Sequence, residues 1–214
     1  MTTALRDRLK ARWTADTLAT RNELGADRYF DGIVAAYSEP HRAYHTLEHL
    51  DFIFARLVEH AADAKEPSRL AFAAWYHDIL YDPAAKDNEE KSALRAIEEL
   101  TDLGATPAFV KRVARLIRAT AAHTKGGADA DDDLFLDADF SILGADPKTY
   151  RRYVANVRRE YAAVSDENWR TGRGAFLANA LAQPRVFRTD RFEAVYGAQA
   201  RDNMTAERTA LAAS

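Results

Sequence analysis

Two polar side chains in an apolar segment are the first residues of this chain that could do chemistry. In AAWYHDILYD, residues 73–82, His77 and Asp78 stand side by side among aliphatic and aromatic residues. The segment is predicted to be helical, so the neighbours of both residues three and four positions away are mostly apolar. An unpaired carboxylate there would cost several kcal/mol, and Asp78 therefore needs a cation or a hydrogen-bond donor. The pair indicates either a functional site or a hydrogen-bonded core pair in which Asp78 caps a helix.

Histidines recur at four-residue spacing shortly before this segment. They are His41, His45 and His49, and the last two are predicted to share one face of a long helix, YHTLEHLDFIFARLVEHA. Neutral imidazoles placed in this way offer nitrogen ligands to a divalent metal. Pro40 places His41 near the helix start, which makes it the weakest candidate. His60, in the charged segment VEHAADAKE, is predicted to be a surface residue.

An acidic segment, DADDDLFLDADFSILG, follows later in the chain and begins at Asp129. It is not a calcium loop, because the turn glycine and the closing glutamate of such loops are missing. Asp131 to Asp133 are predicted to form a solvated loop or a helix cap. Asp137 and Asp139 stand among large apolar residues, so these two carboxylates lie in a core-like segment.

The pentapeptide HTLEH, His45 to His49, also matches the H-x-x-E-H pattern of inverted zinc peptidases. In those enzymes the two histidines bind zinc and the glutamate is the general base. Three fixed positions in five arise often by chance, and this interpretation leaves His77, Asp78 and Asp139 without a role. We keep it as the weaker alternative.

The elements that must hold these residues are predicted to be helices. The chain has 214 residues, of which 47% are hydrophobic, and glycine and proline are few. Alanine, leucine, arginine and glutamate dominate, and the alternation typical of strands is nearly absent. Thr106 before Pro107 predicts a helix start, and Gly104 predicts a helix end. We expect an all-α protein in which residues 1–214 form a single helical bundle.

Composition excludes several classes of function. The formal net charge of −3 argues against a nucleic-acid partner, which would require a surplus of clustered lysine and arginine. The chain has no cysteine, so disulfides, thiolate metal sites and cysteine nucleophiles are excluded. Charges are scattered through MTTALRDRLKARW and no apolar run has membrane-span length, so we expect a cytoplasmic protein with no membrane partner. No oligomeric state is predicted.

The order of these motifs resembles the HD superfamily of metal-dependent phosphohydrolases, in which a histidine, a His-Asp doublet and a distant aspartate bind metal. The segments YSEPHRAYHTLEHL, AAWYHDILYDPAAKDNEEKSA, LFLDADFSILG and FEAVYGAQARDNM resemble an uncharacterised bacterial branch of predicted HD-type hydrolases, and the resemblance spans most of the chain. It implies an HD-type helical bundle. The metal ligands that it implies are His49, His77, Asp78 and Asp139. His45 and Asp137 are the alternatives for the first and last ligands.

The chemistry implied is hydrolysis of a phosphate ester of a nucleotide or other small molecule by metal-bound hydroxide. Two imidazoles and two carboxylates suit Mn, Fe, Co, Ni, Zn or Mg, as one ion or two. Asp78 and Glu89 are the candidate catalytic residues, with Glu89 orienting or deprotonating the water, although an acidic residue at that place also suits a helix N-terminus. Arg42, His45 and His123 are the candidate substrate-binding residues, and His123 is also a candidate ligand of a second metal.

Two other functions are compatible with the same fold. One is a di-iron oxygenase, which needs a redox-active metal pair and extra ligands such as His123. The other is a non-catalytic, metal-stabilised module that binds or senses a ligand without turnover. Phosphate release, oxygen consumption and ligand binding without product distinguish the three.

Overall fold

The computed structural model describes residues 2–18, 26–122 and 127–213. Every regular element in these ranges is a helix, which confirms the predicted all-α class. The chain divides into two compact units, Met1–Phe135 and Leu136–Ser214. This division describes packing, and the single domain expected from the sequence stays a prediction. Within the described ranges, none of the helices combines the length and the apolar composition that a membrane span needs.

Local chemistry explains where the helices of the first unit begin and end. Thr46 accepts a hydrogen bond from the backbone N–H of Glu48, and Thr106 accepts one from Phe109, as expected of N-cap residues. Gly104 has a φ of 81° just after a helix end, a conformation that other residues rarely adopt. The predicted start at Thr106 and end at Gly104 are therefore confirmed. The helices of this unit are α1 (Thr3–Thr17), α2 (Ala26–Ala36), α3 (Leu47–Glu59), α4 (Pro67–Tyr76), α5 (Asn88–Asp102) and α6 (Pro107–Ala119), and α7 (Ala130–Phe140) begins in it.

Helix α4 lies at the centre of the first unit. Trp75 packs edge-on against Trp13, with ring centroids 5.4 Å apart, and at a tilted angle against Phe54, with centroids 4.6 Å apart. Its indole N–H donates to Asp16 at 2.9 Å, so the polar atom of this buried ring is satisfied. Burying each such side chain contributes about 1.5–3 kcal/mol. This packing holds the C-terminal end of α4, where His77 follows, in one position.

Two helix boundaries near the predicted site differ from the prediction. Helix α4 ends at Tyr76, so His77 is its C-cap and Asp78 lies in the following turn, not inside a helix. A helix that continued past Tyr76 would need the backbone N–H of residue 83 to donate to the carbonyl of Ile79. Residue 83 is proline, which has no backbone N–H. Helix α3 begins at Leu47, with Thr46 as its N-cap, so His45 precedes the helix. The prediction that His45 and His49 share one face of this helix is therefore wrong.

The second unit contains the last turn of α7 and the helices α8 (Pro147–Glu160), α9 (Asp166–Ala182), α10 (Asp190–Phe192) and α11 (Ala198–Ala213). Asp146 caps α8 by accepting from the backbone N–H groups of Lys148 and Thr149. A π-helical turn, Glu193–Gly197, joins α10 to α11. Helix α11 packs against α9 and against the short 3-10 turn Ser141–Gly144, which α8 also contacts.

Candidate metal centre

His77 presents one ring nitrogen to the site and uses the other to fix its own orientation. Its Nδ1 lies 2.9 Å from the carbonyl oxygen of Ala74, one turn earlier in the chain. A carbonyl only accepts, so the proton of the neutral ring is on Nδ1 and Nε2 carries a lone pair. His77 is 1% exposed. The fold thus offers a buried imidazole in the tautomer that a metal requires.

Three imidazoles surround the carboxylate of Asp78. The Nε2 atom of His77 lies 3.0 Å from Asp78 Oδ2, and those of His45 and His49 each lie 3.8 Å from it. His49 is in the first turn of α3, and its Nε2 lies 3.1 Å from that of His77. The segment before α3, the start of α3 and the end of α4 therefore converge on one point.

Asp78 is the acidic centre of this group. Burial raises its pKa, but the positive charge that His77 and then His45 carry in their protonated forms outweighs the burial and holds the pKa well below the usual range of a carboxyl. Asp78 is therefore ionised at neutral pH. Its side chain is 16% exposed, so the negative charge remains within reach of a cation or a water molecule.

Arg42 lies beneath these residues, and its guanidinium group is fully buried. It donates to the carbonyl oxygens of His45 at 3.2 Å, of Asp78 at 2.7 Å and of Ile79 at 3.1 Å. The sequence predicted a substrate phosphate for this guanidinium. The geometry favours another role, because the N–H groups already connect the two segments that carry His45 and Asp78. Arg42 thus also donates to the carbonyl of Ile79, which Pro83 cannot satisfy because proline has no backbone N–H.

Helix α7 carries both aspartates that were predicted as the last ligand. The ring of Phe135 packs against that of His77, with centroids 5.9 Å apart, and Asp139 follows one turn later on the same face of the helix. One ligand atom each of His49, His77 and Asp139 lies within 4.8 Å of the other two. The described part of the chain therefore contains a candidate metal-binding cluster of two imidazoles and a carboxylate, a set that suits several divalent metals.

Asp137, the alternative last ligand, is bonded within the second unit. It accepts from the backbone N–H groups of Arg188 at 2.9 Å and of Thr189 at 2.8 Å, and from the hydroxyl of Thr189 at 2.9 Å. Burial raises the pKa of Asp137 and outweighs these hydrogen bonds, which lower it. These contacts give Asp137 a structural role in holding the chain before α10.

The other candidate residues lie in different surroundings. His41 is exposed, and its Nε2 lies 2.8 Å from the carbonyl oxygen of Tyr81. Glu89 is in the first turn of α5 and is partly exposed, and its catalytic role stays a prediction. His123 lies outside the described residues. His60 was predicted at the surface, which is wrong: it is the C-cap of α3 and is only 2% exposed.

Asp131 to Asp133 were predicted to form a solvated loop or a helix cap, and the solvated alternative is wrong for Asp131 and Asp132. They are 2% and 1% exposed in the first turn of α7. Asp131 accepts from the backbone N–H groups of Lys65 at 2.8 Å and Glu66 at 2.7 Å, before α4. Asp132 pairs with Arg115 of α6 at 2.9 Å. Sequence reasoning missed these contacts, although the arginines on α4 and α6 were a signal that buried acidic partners existed.

The zinc-peptidase alternative loses its geometric basis. Its pattern requires His45 and His49 on one helix with the glutamate beside the metal. Here His45 precedes α3, and Glu48 is exposed. The cluster pairs His49 with His77 and Asp139.

Comparisons with protein-family models, with curated proteins and with solved structures found no match. The resemblance to the HD superfamily therefore stays a prediction from the sequence.

Proposed function

We propose that this protein is a metal-dependent phosphohydrolase that cleaves a phosphate ester of a nucleotide or another small molecule. The observation that carries the proposal is the convergence of His49, His77 and Asp139 within 4.8 Å, beside the ionised Asp78. These four residues would hold the metal. A bound divalent ion supplies Lewis acidity to a phosphoryl oxygen and lowers the pKa of a water molecule towards neutrality.

The donor atoms fit a divalent cation. His77 has a lone pair on Nε2 because its Nδ1 donates to a carbonyl 2.9 Å away. The 3.1 Å between the Nε2 atoms of His49 and His77 is within reach of two nitrogens that bind one ion at about 2.0–2.1 Å each. Two carboxylates would balance the charge of one such ion. The set combines nitrogen and oxygen ligands, as metal-dependent hydrolases commonly require.

The residues around the ligands have separable tasks in this proposal. Arg42 holds the backbone of Asp78 and of His45 in place through their carbonyls. Asp78, a ligand through one carboxylate oxygen, would accept with the other oxygen a hydrogen bond from the attacking water and thereby orient it. His45 is partly exposed and lies 3.8 Å from Asp78, so it is the imidazole that a substrate reaches first. It is placed to give a proton to the leaving oxygen.

The test is a metal analysis of protein purified without a histidine tag, followed by a phosphate-release screen over phosphate monoesters and nucleotides. We expect bound divalent metal, release that stops on chelation, and recovery when metal is returned. His49→Ala should lose both metal and turnover, whereas His41→Ala, outside the cluster, should keep both.

Three results would contradict the proposal. Metal without phosphate release from any ester would remove the hydrolase assignment and leave the metal site. Oxygen consumption by an iron-loaded form would favour the oxygenase. Ligand-dependent thermal stabilisation without product would favour a sensor.

A further inference from the structure

A cavity of about 520 Å³ lies within the second unit, between one face of α8, one face of α11 and a tryptophan of α9. Small-molecule sites are commonly about 300–1,000 Å³ in volume. The contributing positions on α8 recur every three or four residues, from Pro147 to Arg158, so a whole helical face is turned to the cavity. This cavity uses none of the residues of the candidate metal centre.

The walls of the cavity are apolar. They are formed by the partly exposed Val154 and the exposed Ala155 of α8, the exposed Ala206 and Ala210 of α11, and the half-buried ring of Trp169, so the cavity is an open groove and not an enclosed chamber. The small alanine side chains on two facing helices leave the space open where larger residues would fill it. Apolar walls with an aromatic side favour a hydrocarbon or aromatic body.

The floor is polar, but its groups are bonded to each other. Arg173 donates to both carboxylate oxygens of Glu207, at 2.8 and 3.0 Å, and the hydroxyl of Tyr150 donates to the same carboxylate. The side chains of Arg173 and Glu207 are 8% and 7% exposed, and their charges cancel. The amide of Asn203 donates to two backbone carbonyls at 2.8 Å each. The interior therefore carries no surplus charge that a ligand must match.

The mouth of the cavity is positively charged. Arg158 lies over the ring of Trp169, 5.4 Å from its centroid, and pairs with Asp166 at 2.7 Å. Arg151 is exposed on the same face of α8, and within residues 127–213 it has no ion-pair partner within 4.0 Å. Two guanidinium groups and one carboxylate leave a net charge of about +1 at the mouth, which favours an anion.

We propose that this cavity binds an amphipathic monoanion, with a medium-chain alkyl or acyl body between α8 and α11 and its anionic head against Arg151. The apolar walls bind the body. Arg151 then selects a carboxylate head over a neutral or cationic one. The site is independent of the proposed hydrolase activity.

The direct test is a titration of the full chain with decanoate below its micellar concentration, followed by tryptophan emission and by calorimetry. Trp13 and Trp75 are fully buried in the first unit, so Trp169 is the reporter. We expect saturable binding at one site, weaker binding of decanol, and the weakest binding of decyltrimethylammonium. Inorganic phosphate alone should give no signal. Trp169→Phe should remove the emission change and keep the heat.

Substitutions in the cavity separate the contribution of the ligand's alkyl body to binding from that of its anionic head. Ala155→Leu and Ala206→Leu fill the space with a good helix former and should weaken decanoate binding at least about tenfold. Arg151→Glu should weaken decanoate binding about tenfold and leave decanol binding unchanged. Arg152→Glu, the neighbouring position that does not line the cavity, is the matched control and should bind decanoate as the unaltered chain does.

Four results would overturn the proposal. They are no saturable binding of decanoate, decanol binding as tight as decanoate binding, an equal loss in Arg152→Glu, and a concentration-dependent dimer in sedimentation that Ala155→Leu abolishes. The last result would make a second copy of this chain the occupant.

Discussion

Two carboxylate clusters in the first unit differ in the cations that surround them. Asp129 is held by the guanidinium of Arg69, at 2.7 and 2.9 Å, and that hydrogen bonding lowers the pKa of Asp129 well below its usual range. Asp78 also has a strongly lowered pKa, but its neighbours are imidazoles. Guanidinium stays charged and has no lone pair, whereas imidazole can lose a proton and bind metal. A similar carboxylate is therefore structural in one place and a candidate ligand in the other.

The largest expected effect is that of Asp78→Ala. It should abolish metal binding and phosphate release together, since the substitution removes the central carboxylate of the imidazole cluster. Asp129→Ala is the matched control from the other cluster and should keep both at equal folded concentration. Metal content and phosphate release are measured on the folded fraction.

The alternative outcome for Asp78→Ala is specific. If Asp78 only satisfies a core hydrogen bond, its removal should lower the free energy of unfolding by roughly 1–3 kcal/mol while metal persists. Retained metal in the folded variant would remove Asp78 from the ligand set.

A second comparison separates the two aspartates of α7. Asp139→Ala should weaken metal binding more than about 100-fold, beyond the usual effect of partners that only orient a ligand. Asp137→Ala should keep metal but lower the free energy of unfolding by about 1–3 kcal/mol, because the N–H groups of Arg188 and Thr189 lose their acceptor. Metal titration and urea unfolding of both variants provide the measurement. Equal metal loss would mean that α7 is oriented differently.

Arg42→Lys should have an intermediate effect. Lysine keeps the charge but cannot reach the three carbonyls that the planar guanidinium connects, so metal affinity should fall about tenfold. Arg115→Lys, in the other cluster, should leave metal affinity unchanged. If Arg42 instead binds substrate phosphate, KM should rise while metal affinity stays constant.

Acid should affect the two clusters in sequence. As pH falls, the imidazoles take up protons and release metal, while the fold persists. A carboxyl with a lowered pKa in the folded state stabilises the fold above its unfolded pKa of about 3.9, and this contribution is lost as pH falls through the folded pKa. Asp129 is such a group, so its contribution should disappear only below about pH 4. Metal content and urea unfolding across pH 7 to 3 test this order, and loss of metal only on unfolding would contradict it.

Much of the fold could be predicted because its signals are local. Thr106 and Gly104 mark helix ends through backbone hydrogen bonds and a positive φ within a few residues. The three grouped residues of the candidate site, His49, His77 and Asp139, were among the ligands that the resemblance to the HD superfamily implied. Their polar groups in apolar segments were informative because burial without a partner is unfavourable.

Other features required partners distant in the sequence. His60 was predicted to be exposed and is buried, since burial at the end of α3 depends on what packs against it. For Asp131 the sequence left a solvated loop and a helix cap open, and the side chain is buried and accepts from the backbone N–H groups of Lys65 and Glu66 just before α4. Composition around an aspartate indicates its solvation only when its partners are neighbours in the chain.

The sequence by itself determined the helical class, the lack of cysteine chemistry and the residue types available to bind metal, because composition and local periodicity act over a few residues. Only the tertiary structure decided that His77 and Asp78 end a helix and that Arg42 binds their segment from 36 positions earlier. It also decided that Asp137 accepts hydrogen bonds from the backbone of Arg188 and Thr189, whereas Asp139 lies in the candidate metal-binding cluster. The physical reason is that a buried carbonyl or carboxylate is satisfied by whichever donor the folded chain brings within about 3 Å, irrespective of its position in the sequence.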